Sequence, residues 1–392
     1  MKKLSTAAAC LCAATLTTAA HAQSSVTLYG LIDAGLAYVS NQKSGSGGHN
    51  NFLQTSGNLS TSRWGLRGTE DLGGGYSAVF DLESGFNVAN GKLNNGGDLF
   101  GRAAWVGLAS RQYGTVTLGR QYDLLVDYVE PLSASGSGFG GNLAEHVFDN
   151  DNLSNDARLN NSVKFRSIDY HGFSFGAAYA FSNQAGGFSN NNAYSAGAGY
   201  TNGPLSLAVA YLQVNQPGGV SSNPNPNGAF SSSDGDAQLT GAKQRTLGAA
   251  AHYAAGPALV GFAFTRTVLD DPHQVTQGGS ASTLNGALLT FNNYELNGRY
   301  ALTPAFTLGG SYTFTQGHFD TASAQASPKW NQFMLQADYT LSRRTDVYLE
   351  GVYQHVSGAH GIPVLGNASV FNLAASSSDR QAVVGTGIRH RF

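Results

Sequence analysis

Apolar and polar residues alternate one by one along most of this chain. Phe173, Phe175, Ala177, Tyr179 and Phe181 share one face of an extended segment, and Ser174, Gly176, Ala178, Ala180 and Ser182 share the other. The pattern is clearest where Tyr294, Leu296, Gly298, Tyr300 and Leu302 lead through Thr303-Pro304-Ala305 into Phe306, Leu308, Gly310, Tyr312 and Phe314. Their neighbours are Asn293, Glu295, Asn297 and Arg299, then Thr307, Ser311, Thr313 and Thr315, so one face is apolar and the other wet. A repeat of two is the signature of a strand; a helix would return its apolar residues at every third or fourth position.

The same period predicts strands over residues 26–39, from Ser62 onward (Trp64 and Leu66 opposing Arg63 and Arg67), and around Ala78, Phe80 and Leu82, which oppose Asp81 and Glu83. Others follow over 100–108, 115–120, 162–167 (Lys164 and Arg166 opposing Val163 and Phe165), 194–201, 205–211, 245–253 and 258–267. The last three centre on 333–339, 347–353 and 382–392. Sixteen strands result, joined alternately by eight long polar connections and seven short turns. Strict alternation of that kind is what an up-and-down barrel inserted from one side requires, with turns on one rim and loops on the other. A soluble sandwich has no reason to sort its connections, and it would leave the aromatics at the strand ends unexplained. In a bilayer they form the interfacial girdle. The expected fold is all-β: a 16-stranded antiparallel transmembrane β-barrel.

Composition sharpens this. Residues 1–22 open on Lys2 and Lys3, run apolar and small, and end in Ala20-His21-Ala22, a secretory signal with cleavage expected between Ala22 and Gln23. One barrel domain would then occupy 23–392. Both cysteines, Cys10 and Cys12, fall inside the signal, so the mature chain carries no thiol. Beyond the signal no apolar run reaches the ~18 residues of a membrane-spanning helix. Without Lys2 and Lys3 the chain has 20 basic and 24 acidic residues, a balance with no electrostatic footprint for nucleic acid.

The third long connection, residues 122–160, departs from everything around it. Its 39 residues show no period, and they hold seven acids against the single Arg158. A connection this long inside a compact domain is usually functional. Folded inward, it would narrow the barrel and set what passes.

Several segments resemble the general porins of Gram-negative bacteria, most closely the type of beta-proteobacteria and neisserial species. Val26-Thr27-Leu28-Tyr29-Gly30 after Gln23 is similar to that family's first strand, and Ser62-Arg63-Trp64-Gly65-Leu66-Arg67-Gly68-Thr69-Glu70-Asp71-Leu72-Gly73 to its most recognisable hairpin. Trp105-Val106-Gly107-Leu108 and Gly114-Thr115-Val116-Thr117-Leu118-Gly119-Arg120-Gln121 resemble the strands that lead into its third loop, and the chain ends on the aromatic Phe392. The resemblance implies passive diffusion of small hydrophilic solutes and ions through a homotrimer in the cell outer membrane. Its partners would be outer-membrane lipid, lipopolysaccharide and the barrel assembly machinery, which would read Phe392. It also implies an eyelet whose acidic side comes from the inward third loop, with Asp123, Asp127, Glu130 and Glu145 as candidates. Arg63, Arg67, Arg102, Arg120, Lys164 and Arg166 are the candidates for the facing basic wall. Charges facing one another across a narrow pore orient water and polar solutes and disfavour apolar ones; the alternative is that they merely solvate a loop and a wall. Loop acids and wall bases oppose each other, so net charge leaves the ion preference open.

Other chemistry finds little support. Asp149-Asn150-Asp151-Asn152 begins like a calcium loop, but Ser154 stands at the glycine position and Asn160 at the twelfth, which excludes an EF-hand. The histidines show no HExxH or paired metal spacing, no nucleophile elbow frames a serine, and glycine clusters precede strands rather than helices. No metal or cofactor is expected. Two rivals to a general pore stay open: a barrel enzyme with Ser, His and Asp at its rim, and a substrate-specific channel with an aromatic slide, for which Tyr122, Tyr128 and Phe139 are available.

Overall fold

The computed structural model describes residues 25–137, 139–231, 238–321 and 325–392. The expected signal, with Ala22, Gln23 and both cysteines, lies outside the described residues. One closed antiparallel wall of sixteen strands makes the barrel. It starts with β1 (Ser25–Ser44), β2 (Arg63–Gly73), β3 (Tyr76–Gly85), β4 (Ala103–Ser110), β5 (Gly114–Gln121), β6 (Leu159–Ser167), β7 (Phe173–Ala180) and β8 (Asn192–Asn202). It continues with β9 (Leu205–Asn215), β10 (Leu239–Ala255), β11 (Ala258–Gln277), β12 (Leu288–Ala301), β13 (Phe306–Asp320), β14 (Lys329–Ser342), β15 (Thr345–Ser357) and β16 (Arg380–Arg391). Each strand pairs with its neighbours in sequence, and β1 closes on β16 from Leu31↔Arg391 to Val39↔Val383. The Phe392 N–H donates to the Gly30 carbonyl at 3.0 Å, so the last residue completes the closing seam.

The faces are inverted relative to a soluble protein. On β12 and β14, Leu296 and Leu335 are 56% and 73% exposed, while Asn293 and Glu295 are wholly enclosed. Such an arrangement is stable only with hydrocarbon outside and a polar interior. The short turns follow local chemistry. Between β2 and β3, Gly74 and Gly75 take φ of +62° and +84°, the left-handed conformation that a tight hairpin demands and glycine supplies without strain.

The structure departs from the expected elements in one respect that bears on the bore. The connection expected between residue 39 and Ser62 contains a hairpin: β1 runs on to Ser44 and the chain returns as a strand, Gly47–Ser56, paired from Ser44↔Gly47 to Ala34↔Ser56. β2 covers β1 only as far as Leu31↔Arg63, so the overlong outer half of β1 needs another partner for its hydrogen bonds, and its own continuation provides one. Residues 57–62 then drop inward, where the Asp33 carboxylate accepts the N–H groups of Leu59 (3.1 Å) and Ser60 (2.8 Å).

Candidate functional site

The long connection leaves β5 at Gln121 and enters the bore. Asp123 shapes its first turn: one carboxylate oxygen accepts the Leu125 N–H at 2.6 Å and the other accepts the Asn152 amide at 2.7 Å. The helical turn Leu125–Val129 buries Leu124, Leu125, Tyr128 and Val129 against β7 to β11. That wall admits them because its inward positions are small. Leu124 sits over Gly176 and Gly197, Tyr128 over Gly197 and Gly199, and Leu125 and Val129 over Gly248. The Gly/Ala face read from the alternation is therefore the seat of the loop.

Two further contacts pin the segment. His146 bridges Asp151 (2.6 Å) within the loop and Glu295 (3.1 Å) on β12, and Glu295 also accepts the Ala134 N–H at 2.8 Å. Phe148 meets Phe291 and Trp330 edge-on, at 6.3 and 6.1 Å between ring centres. On the far side Leu143 and Ala144 pack with Met334, Val352 and Val383, and the Asn142 amide donates to the Gly57 carbonyl at 2.7 Å. The loop thus leans on β7 through β16 and on β1. Among the described residues the sector from β2 to β6 adds only Leu159, where the loop ends and β6 begins, to these apolar contacts, and there the opening lies.

That sector is charged. Glu83 on β3 stands between Arg102 (2.7 Å) and Arg63 (3.5 Å), with the half-buried Glu130 of the loop nearby. Lys164 on β6 donates to Asp127 of the loop at 2.9 Å and to the Tyr122 carbonyl at 2.9 Å; Arg166 lies 3.8 Å from the same carboxylate. Arg67 covers the Tyr29 ring, whose hydroxyl donates to Asp81 at 2.6 Å. A cavity of about 440 Å³ opens between these walls.

The expected residues divide accordingly. Arg63, Arg67, Arg102, Lys164 and Arg166 share this sector with Asp127 and Glu130. Asp123 and Glu145 are turned into the packing instead: Asp123 is consumed by its turn, and Glu145 accepts the Gln238 amide at 2.8 Å beside Asp149 and Asp156. Burial pushes the Asp123 carboxyl up to about 6. Burial, reinforced by Asp156 and Asp149, pushes Glu145 well above the usual carboxylate range. Arg120 points out of the bore on the face of Val116 and Leu118, its guanidinium donating to the Gly101 carbonyl (2.7 Å) and to Asn160 (2.6 Å). Burial also raises Glu130, to about 8, although the Asn155 amide (2.7 Å), Arg102 and Arg63 all favour its charged form. Sequence reasoning passed over Asp81, Glu83 and Tyr29, although Asp81 and Glu83 alternate on the strand that pairs with Arg63 and Arg67. Tyr128 and Phe139, available for an aromatic slide, are buried in the packing.

A closed barrel, apolar outside, polar inside and narrowed by an inward loop against a charged wall, is a transmembrane diffusion channel. Residues 6–359 match the family model described as Gram-negative porin. An outer membrane porin protein of Bordetella pertussis is 32% identical over 426 residues, covering 100% of both chains. Outer membrane porin protein 32 of Delftia acidovorans is 38% identical over 202 residues, half of this chain (50%) and 56% of its own. Among solved structures, the anion-selective porin from Comamonas acidovorans superposes with a TM-score of 0.69 at 24% identity, covering 94% of this chain and 100% of that one. The chain belongs to the Gram-negative porin family, a family of channels rather than enzymes. It is an outer-membrane general porin through which small hydrophilic solutes and ions diffuse passively.

Proposed function

We propose that the selective aperture lies between the loop and the β2–β6 wall, with Asp127 and Glu130 on one side and Arg63, Arg67, Arg102, Lys164 and Arg166 on the other, and that it favours anions. Asp123 and Glu145 act behind it as packing. The observation that carries this reading is the apolar seating of the loop on every other sector. Around the opening five cationic side chains outnumber Asp81, Glu83 and Asp127, and Glu130 keeps its proton up to about pH 8. A positive excess in a narrow, low-dielectric passage raises the local anion concentration. The reversal potential in a potassium chloride gradient should therefore report anion preference at neutral pH. The preference should weaken as pH rises through about 8, where Glu130 ionises, and should move toward cations when Arg63 and Arg67 are both replaced by Gln. A cation-selective wild type, or a pair of Gln substitutions without effect, counts against this aperture.

The working unit is proposed to be a homotrimer seated in outer-membrane lipid and lipopolysaccharide, made from residues 23–392 after removal of the signal. It is delivered by the barrel assembly machinery reading Phe392, and it carries out no chemistry on what it passes. The supports are the family membership, the aromatic terminus at the closing seam, and the apolar outer face. Intact mass of the protein extracted from membranes, alone and cross-linked, checks both points: a chain that keeps residues 1–22, or a cross-linked product no heavier than one chain, refutes the corresponding statement.

A further inference from the structure

Resting on the pore reading, we propose that Trp105 and Arg166 form a solute subsite in the lumen that takes flat, aromatic carboxylate anions. The chain's three tryptophans have different fates. Trp64 faces outward beside Phe100 at 6.3 Å, and Trp330 is sealed in the packing of Phe148 and Phe291. Trp105 alternates with Val106 and so faces inward, half-buried, into the cavity of about 440 Å³ that it lines with Tyr122, Asp81, Asp127, Lys164 and Arg166. Among the described residues its ring meets no other ring and its indole N–H has no acceptor. An indole is a large, rigid apolar surface, and its exposure on a wetted wall leaves a stacking platform unused.

The charged groups around it fix the chemistry of the guest. Glu83 is held by Arg102 and Arg63, Asp81 by the Tyr29 hydroxyl, and Lys164 by Asp127. Arg166 has no close carboxylate of its own. Its side chain is 50% exposed, its guanidinium lies over the Tyr128 ring at 5.6 Å, and its nearest carboxylate, 3.8 Å away, is the one that Lys164 approaches more closely. A guanidinium in that state has donors left for a second carboxylate, which it can take in a two-point contact. A ring on Trp105 with its carboxylate on Arg166 satisfies both unused groups at once.

The test uses the full-length protein in planar bilayers, with benzoate, cyclohexanecarboxylate and benzylamine as probes. The readout is the probe concentration that halves each channel's own potassium chloride current. Benzoate should act at lower concentration than the other two. Trp105→Leu, which keeps an apolar but not a flat side chain, should raise the benzoate value roughly 2- to 10-fold, the worth of one aromatic pair, and abolish its advantage over cyclohexanecarboxylate. Trp105→Phe should retain most of the advantage, and Arg166→Gln should weaken benzoate without weakening benzylamine. Equal action of benzoate and cyclohexanecarboxylate on the wild type overturns the role of the ring, and equal action of benzylamine overturns that of Arg166. A benzoate advantage that survives Trp105→Leu overturns the subsite. In all three cases the potassium chloride current leaves the pore standing; a wild type that carries no current would instead remove the pore reading itself.

Discussion

Replacing His146 by Ala is expected to loosen the inward loop and destabilise its seat by about 3–5 kcal/mol, the usual consequence of removing one partner from a buried ionic group. The ring nitrogens of His146 face Asp151 and Glu295, and the neighbouring polar groups are the Thr265 hydroxyl and the Asn293 amide, both of which donate to Asp151. Burial disfavours the imidazolium, yet the two carboxylates outweigh it and raise His146 to about 10. Free imidazole titrates near 6.5. The raised value therefore contributes stability in full below that pH, and the contribution fades as pH rises through about 10. Melting of the purified barrel should be lower in His146→Ala than in the wild type at neutral pH, and the two should converge in strong alkali. Single-channel currents of the variant should be noisier. Changing His146 to Leu together with Asp151→Asn and Glu295→Gln removes the whole charged group and should lose less than the single change, because no carboxylate is left stranded. Equal melting of His146→Ala and wild type at neutral pH would show that the bridge does not hold the loop.

The barrel was legible because lipid on one side and water on the other impose a period of two on every strand, and a period survives errors at individual residues. The inward placement of Arg63, Arg67, Lys164 and Arg166 was legible for the same reason: they recur at alternate positions on faces whose opposite is apolar. Parity also places Arg120 with Val116 and Leu118, outside the bore, and that signal stood in the sequence. The loop offers no such rule. Whether an acid faces the opening or the packing depends on partners remote in sequence, as with Glu145, whose amide donor Gln238 lies 93 residues away. The hairpin that ends at Ser56 was hidden in glycine and asparagine. Its strand forms because β1 outlasts β2, a mismatch of lengths that no local composition records.

The small residues of β7 to β11 lead to the second large effect. A methyl group added at Gly248 would lie 2.7 Å from the Leu125 side chain and 3.4 Å from that of Val129, and one at Gly197 would lie 2.8 Å from the Tyr128 ring. Gly248→Leu therefore cannot coexist with the turn where it now sits, and overpacking of this kind costs about 1–3 kcal/mol. The turn has one direction in which to yield. The loop is tied to β12 through Glu295 and His146, and to residue 57 through Asn142, so withdrawal from the bore would break those ties, whereas a shift toward β2–β6 would only narrow the opening. Single-channel conductance of Gly248→Leu is accordingly expected to fall while the channel still inserts. Gly351→Ala serves as the control: that glycine faces outward between Leu349 and Tyr353, and its added methyl would meet only the Val383 carbonyl, at 4.0 Å. Unchanged conductance in Gly248→Leu would mean that the turn does not border the aperture. Raised conductance would mean that the ties to β12 and Asn142 are weaker than the packing they secure.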